Sequence, residues 1–124
     1  MSKIECSGTV IPIRPLRTEE KELLLSVIQH LANSLDLLSE IDEVLVEDLS
    51  DGGMGSVRVI RDNSYLKRKA MPYAQAMYID EDSVLISVQI NSDSFGRLYE
   101  IDIWKTDFSS VKRYPNENSR QASA

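Results

Sequence analysis

Five carboxylates and one tryptophan carry the chemistry this sequence offers most directly. Glu100 and Asp102 stand two apart, so in an extended strand they project from one face together with Leu98 and Trp104. Asp48 lies in a second alternating stretch, in register with Val44 and Val46, while Asp51 and Asp107 fall at or near the ends of such stretches. Carboxylates that converge in this way can hold Mg²⁺ or Ca²⁺, or act as a general acid/base pair. Acids alternating with apolar residues also mark the wet face of a half-buried sheet.

The run Asp51-Gly52-Gly53-Met54-Gly55-Ser56 is the other local pattern with chemical meaning. Backbone amides in a glycine-rich loop can cradle a phosphate. Here no lysine follows, the next residues alternate as a strand rather than opening a helix, and Asp48 and Asp51 repel an anion. The run reads as a tight hairpin turn that needs positive φ. The candidate contact residues are therefore Asp48, Asp51, Gly53, Glu100, Asp102, Trp104 and Asp107. No catalytic residue, metal-ligand set or cofactor is assigned.

Other chemistries find fewer parts. His30 is the single histidine and sits beside the apolar stripe of a helix; Cys6 is the single cysteine and has no local partner to lower its pKa. One of each cannot build the usual zinc ligand set or a disulfide framework. The stretch from Asn91 to Asp102 meets a calcium-loop pattern only in part, since Phe95 stands where a ligating side chain is needed. The basic stretch Arg58 to Lys69, with Tyr65 inside it, lacks the interleaved aromatics of an RNA-binding motif. Trp104-Lys105 and Phe108 read as structural anchors that close the core beneath the last strand.

The elements that must position these residues follow from hydrophobic period. Pro12 and Pro15 keep residues 1–17 extended, with Val10, Ile11 and Ile13 as a short edge strand. Thr18 reads as an N-cap followed by Glu19, Glu20 and Glu22, and Leu24, Ile28, Leu31 and Leu35 recur at helical spacing. A helix over about 18–33 and a short second one over about 35–41 result. The period then changes to two. Strands are expected at Glu43–Leu49, Val57–Arg61, Tyr73–Ile79, Val84–Ile90 and Arg97–Lys105, joined by polar turns that imply antiparallel neighbours. The fold class is α+β, with the helices packed on an antiparallel meander of about five strands. Residues 1–17 form a lead-in, 18–114 a single domain, and 115–124 a disordered tail.

The chain has 124 residues and a formal net charge of −6, laid out in blocks. Eight acids and no lysine or arginine fall between Glu22 and Val57, and five basic residues lie between Arg58 and Lys69. An acidic surface is a poor binder of nucleic acid but suits a basic protein partner. No apolar stretch approaches the roughly 20 residues of a spanning helix, and the first residues lack a signal-peptide core. The expected location is cytoplasmic, with no membrane and no nucleic acid among the partners.

Three segments together carry a family resemblance: Arg14-Pro15-Leu16 with Glu19-Glu20 opening the helix, Val46 to Ser56 (VEDLSDGGMGS), and Leu98 to Phe108 (LYEIDIWKTDF). The sequence resembles a family of small bacterial proteins of unknown function with an Asp-Gly-Gly-Met-Gly-Ser turn and a Glu-Leu-Asp-x-Trp-Lys-x-Asp-Phe strand. Ile101 replaces the leucine of that strand, a volume-conserving change. The resemblance covers about Arg14 to Pro115 and implies a bacterial, single-domain protein, with no catalytic residues to carry over. Size, acidity and the lack of a nucleophile point to a non-enzymatic binding protein, of the immunity type that neutralises a basic toxin domain. The alternatives are a small metal- or ligand-binding domain, including a hydrolase, built on the carboxylates, and a homodimer formed through a free sheet edge.

Overall fold

A computed structural model of the chain describes residues 3–6, 9–29, 31, 37–61 and 70–122. Among these residues the order is β1 (Lys3–Cys6), β2 (Thr9–Pro12), β3 (Arg14–Pro15), α1 (Thr18–Ile28), β4 (Leu45–Asp48), β5 (Val57–Ile60), β6 (Met71–Ile79), β7 (Leu85–Ser92) and β8 (Leu98–Lys105). A 3-10 turn follows at Glu117–Ser119. β1 and β2 pair as a separate antiparallel hairpin, and the other strands form one antiparallel sheet in the order β3-β4-β5-β8-β7-β6. The mixed α+β class with an antiparallel sheet holds.

The strand count and order differ from the expected five-strand meander. Arg14–Pro15 adds a sixth strand against β4, one step beyond the Val10–Ile13 stretch expected at the edge. β5 pairs with β8 rather than with β6. The connection over 61–70 is too long for a tight hairpin, so the chain crosses to the far edge and returns through β6, β7 and β8. That arrangement is a Greek key.

The helix begins with Arg17 at its N-cap, one residue before the expected Thr18. Glu20 folds back to accept the Arg17 amide at 2.7 Å, and the Glu20 amide donates to the Arg17 carbonyl at 3.1 Å. The helix ends at Ile28, short of the expected 33, and the Leu31 amide bonds the Ile28 carbonyl. His30 lies outside the described residues. The expected second helix is not supported: 32–36 lie outside the described residues, and Leu38 to Val44 pass through turns closed by Leu38 and Glu40 carbonyls.

Period-two alternation places Val57, Val59, Ile86, Val88, Ile90, Ile101 and Ile103 on one sheet face, where they bury against Leu23, Leu24, Val27 and Ile28 of α1. Each such side chain contributes about 1.5–3 kcal/mol by leaving water. The pairing of β7 with β8 slips between Asn91 and Ser92, so that Asn91 faces Glu100 and Ser92 faces Leu98. This bulge turns Leu98 into the core, 1% exposed, and off the face of Glu100 where alternation placed it.

Residues 115–122, read from sequence as part of a disordered tail, are instead bonded to the domain. Asn116 accepts the Asn118 amide at 2.8 Å, Glu117 meets Ser26 of α1 and Gln29 just after it, and Gln121 donates its amide to the Met77 carbonyl at 2.8 Å. Arg120 bridges Tyr78 on β6 and reaches the Ser26 carbonyl. This strap joins α1 to the far sheet edge.

At the opposite edge one guanidinium joins three elements. Arg14 donates to both Glu20 oxygens at 2.8 Å, to Asp48 at 2.7 and 3.1 Å, and to the Pro15 carbonyl at 3.0 Å, which uses all five of its N–H groups. Glu20 is 1% exposed, whereas the Asp48 side chain is 55% exposed. Arg14→Ala leaves Glu20 buried without its partner and is expected to cost about 3 kcal/mol or more. Asp48→Ala is expected to cost under about 1 kcal/mol, because its charge is solvated. Urea denaturation midpoints at unchanged slope check both values.

Candidate functional site

The turn between β4 and β5 is closed by its own aspartate. Asp51 accepts the Met54 amide at 3.0 Å and the Ser56 amide at 2.9 Å, and the Leu49 amide reaches the Ser56 carbonyl at 3.0 Å. Those amides are thus spent on a carboxylate of the chain itself, and the run is the hairpin turn its glycines implied. Gly53 has φ +84°, and a Cβ there would lie 2.9 Å from the Ser110 hydroxyl. Ser110 in turn donates to the Gly52 carbonyl at 3.0 Å, and the Val111 amide donates to the Gly53 carbonyl at 3.2 Å. Only a residue without a side chain lets the segment after β8 dock so closely.

Below this turn lies a buried ammonium that sequence reasoning missed. Lys105 is 0% exposed and sits 3.0 Å from Asp80, with Asp82 against its Nζ and the Met54 sulfur accepting its amide at 3.2 Å. Asp80 also accepts the amides of Glu81, Lys112 and Arg113 at 2.7, 2.7 and 2.9 Å. Burial alone would raise the Asp80 pKa; the amides and the Lys105 ammonium outweigh it and bring it down to about 2. Burial pulls Lys105 the other way, and Asp82 and Asp80 hold it above its ordinary value. The available signal was alternation, since Lys105 shares its strand face with Ile101 and Ile103.

The sheet divides the candidate residues. Asp48 is opposite Val57, on the face that α1 covers, and its carboxylate is held below the usual range by hydrogen bonds from Arg14. Glu100, Asp102 and Trp104 project from the other face. Cross-strand register there sets Glu47, Arg58, Glu100 and Asn91 in one row and Asp102 and Gln89 in the next, with Trp104 beside Ser87. Side-chain bonds lace these rows: Gln75 to Ser87 at 2.8 Å, Gln89 to Asn91 at 2.8 Å, and Asn91 to Glu100 at 2.7 Å. Arg58 reaches Glu100 at 3.5 Å, and its guanidinium lies 5.8 Å from the Tyr99 ring centre.

Asp102 is the exception in this laced surface. No lysine or arginine among the described residues forms an ion pair with it. Partial burial, then the negative charges of Glu100 and Asp51, raise its pKa. Asp107 lies beyond the strand end, where the hydroxyl and amide of Ser109 bond its carboxylate at 2.6 and 3.0 Å and lower its pKa. Among the described residues no group of three or more His, Cys, Asp or Glu side chains is placed to hold a metal ion.

Phe108 does not close the core as expected. Its side chain is 79% exposed, and its φ of +64° is a left-handed conformation that costs a bulky residue about 1 kcal/mol or more. Tyr114 fills the expected place instead, packed against the core within 3.6 Å of where a Gly55 side chain would begin.

A family model described as a domain of unknown function, DUF6984, matches residues 13–115. The chain belongs to that family. No curated protein and no solved structure matches it.

The lowered pKa values of Asp80 and Asp48 mean that their stabilisation is complete above the ordinary carboxylate range and is lost as pH falls through and below it, for Asp80 down to about 2. Asp102 has the opposite sign: its raised value marks a charge that the folded state tolerates poorly. Asp102→Asn is therefore expected to stabilise the protein at neutral pH by about 0.5 kcal/mol, a figure already reduced for solvent screening. That gain vanishes in acid, where the wild-type carboxyl is neutral in both states; urea titrations across pH measure it. Gly53→Ala is expected to cost about 2 kcal/mol, from strain plus the Ser110 clash, against about 1 kcal/mol for Gly52→Ala, which meets only strain.

Proposed function

We propose that this DUF6984 chain is a non-enzymatic binding protein that docks a basic protein partner on the sheet face opposite α1, in the manner of an immunity protein on a toxin domain. The observation that carries this reading is the grouping of Trp104, Asp102 and Glu100 on that face, with Asp51 near enough to raise the Asp102 pKa. A lysine or arginine from a partner would supply the counter-charge that no lysine or arginine among the described residues gives Asp102, and could stack on Trp104. The net charge of −6 favours encounter with a basic protein and disfavours nucleic acid. The laced glutamine and asparagine rows give the face a fixed shape, which lowers the ordering cost of association.

A cation-holding role draws less support, because Asp48 and Glu100 pair with arginines and Asp51 and Asp107 with amides. The clefts of about 330 and 340 Å³ lie elsewhere, one beside Gln75 to Met77 and the other between Glu40 and Arg97. No helix of the described residues is long and apolar enough to cross a membrane.

Immobilised wild-type protein is expected to retain one basic protein in equimolar amount from a lysate of the native host. Trp104→Ala and Asp102→Lys are expected to weaken that retention at least tenfold while melting cooperatively. Retention of no equimolar partner, or equal retention by wild type and both variants, overturns the reading. A melting temperature raised by millimolar Mg²⁺, Ca²⁺ or Mn²⁺ would favour the cation-holding role instead.

A further inference from the structure

Phe108 combines three features that structural needs alone do not produce together. It is the most exposed large apolar side chain among the described residues, it holds a left-handed backbone conformation that glycine or asparagine would adopt at little cost, and no cation of the described residues lies over its ring. Phe95, the other strongly exposed aromatic, differs on two of these counts: its φ is ordinary, and the Arg97 guanidinium lies 5.2 Å from its ring centre. Ser83, the other non-glycine with positive φ, is small.

The turn that displays Phe108 is fixed from both sides. Before it, Lys105 is clamped by Asp80 and Asp82 inside the fold, and the Phe108 amide donates to the Lys105 carbonyl at 2.8 Å. After it, Ser110 and Val111 are bonded to the Gly52 and Gly53 carbonyls. Between them Asp107 bonds Ser109. With the backbone of the turn fixed, an aromatic carried on it is presented at a set place and loses little backbone freedom on docking, a condition that suits an interface anchor.

We propose that Phe108 is the anchor by which this protein engages its partner, inserting into an apolar pocket that the partner rims with lysine or arginine. The proposal rests on the reading of the chain as a protein-binding module and adds the point of insertion. The basic rim follows from charge complementarity: Asp107 is the adjacent residue, and the docked glycine turn brings Asp51 to the same end of the sheet. The same acids oppose insertion into an anionic lipid surface, so a protein pocket is the occupant.

The test places photoreactive p-benzoylphenylalanine at position 108, or at position 95 as control, in the full chain within native host cells. A single adduct with another protein from position 108, absent from position 95, supports the proposal. No adduct, equal adducts from both positions, an adduct of twice the chain mass, or cross-linked lipid overturns it. Phe108→Asn provides the second arm. Asparagine suits the backbone conformation, so the melting temperature is expected to equal or exceed that of wild type, while affinity for the partner purified through the wild-type chain falls at least tenfold. Full affinity in Phe108→Asn, with Trp104→Ala impaired, overturns the anchor alone; a wild-type chain that retains no partner overturns both readings.

Discussion

A buried ammonium has to be neutralised where it lies, and Lys105 imposes that condition on one whole end of this molecule. Its charge is removed from water at the last position of the central strand β8, so carboxylates must come to it. Asp80 and Asp82 do so from the β6–β7 turn, and Asp80 in turn collects the amides of Lys112 and Arg113. The ion pair thereby sets the path of the chain after β8, and that path brings Ser110 onto Gly53. The glycine turn, the strand end and the segment from Ser110 to Arg113 are parts of one bonded unit with the ammonium at its centre.

The Arg14 network does comparable work at the start of the sheet, with a different balance. Glu20 is fully enclosed and Asp48 faces water, so one arginine satisfies a buried charge and an exposed one together. Asp48 is thus engaged on the α1 side of the sheet, apart from Glu100, Asp102 and Trp104. The sheet separates carboxylates committed to arginines, lysine or amides from Asp102, with which no lysine or arginine among the described residues pairs.

Much of this was legible in local pattern and some was not. Alternation identified β4 to β8 and the polar face of Glu100, Asp102 and Trp104, because a period of two records which side of a pleat is wet. It equally aligned Asp48 with Val46 and Lys105 with Ile103, on the buried side, though not the partners that make those charges tolerable there. Leu98 was misplaced because a bulge depends on the partner strand and leaves no local trace. The β5–β8 pairing was hidden for the same reason: long-range pairing is decided by the whole sheet. Asparagines and serines after Pro115 resembled a solvated tail, but there they serve as caps and strap contacts.

The strap over β6 also covers part of an outer sheet edge. β6 is the long outer strand, and the amide and carbonyl groups on its free side are an invitation to polymerise edge to edge. Gln121 and Arg120 occupy one end of that row, while Pro72 and the irregular pairing beside it spoil the other. A chain clipped after Pro115 would lose those contacts and leave that end of the β6 edge bare, the kind of margin on which another strand can pair.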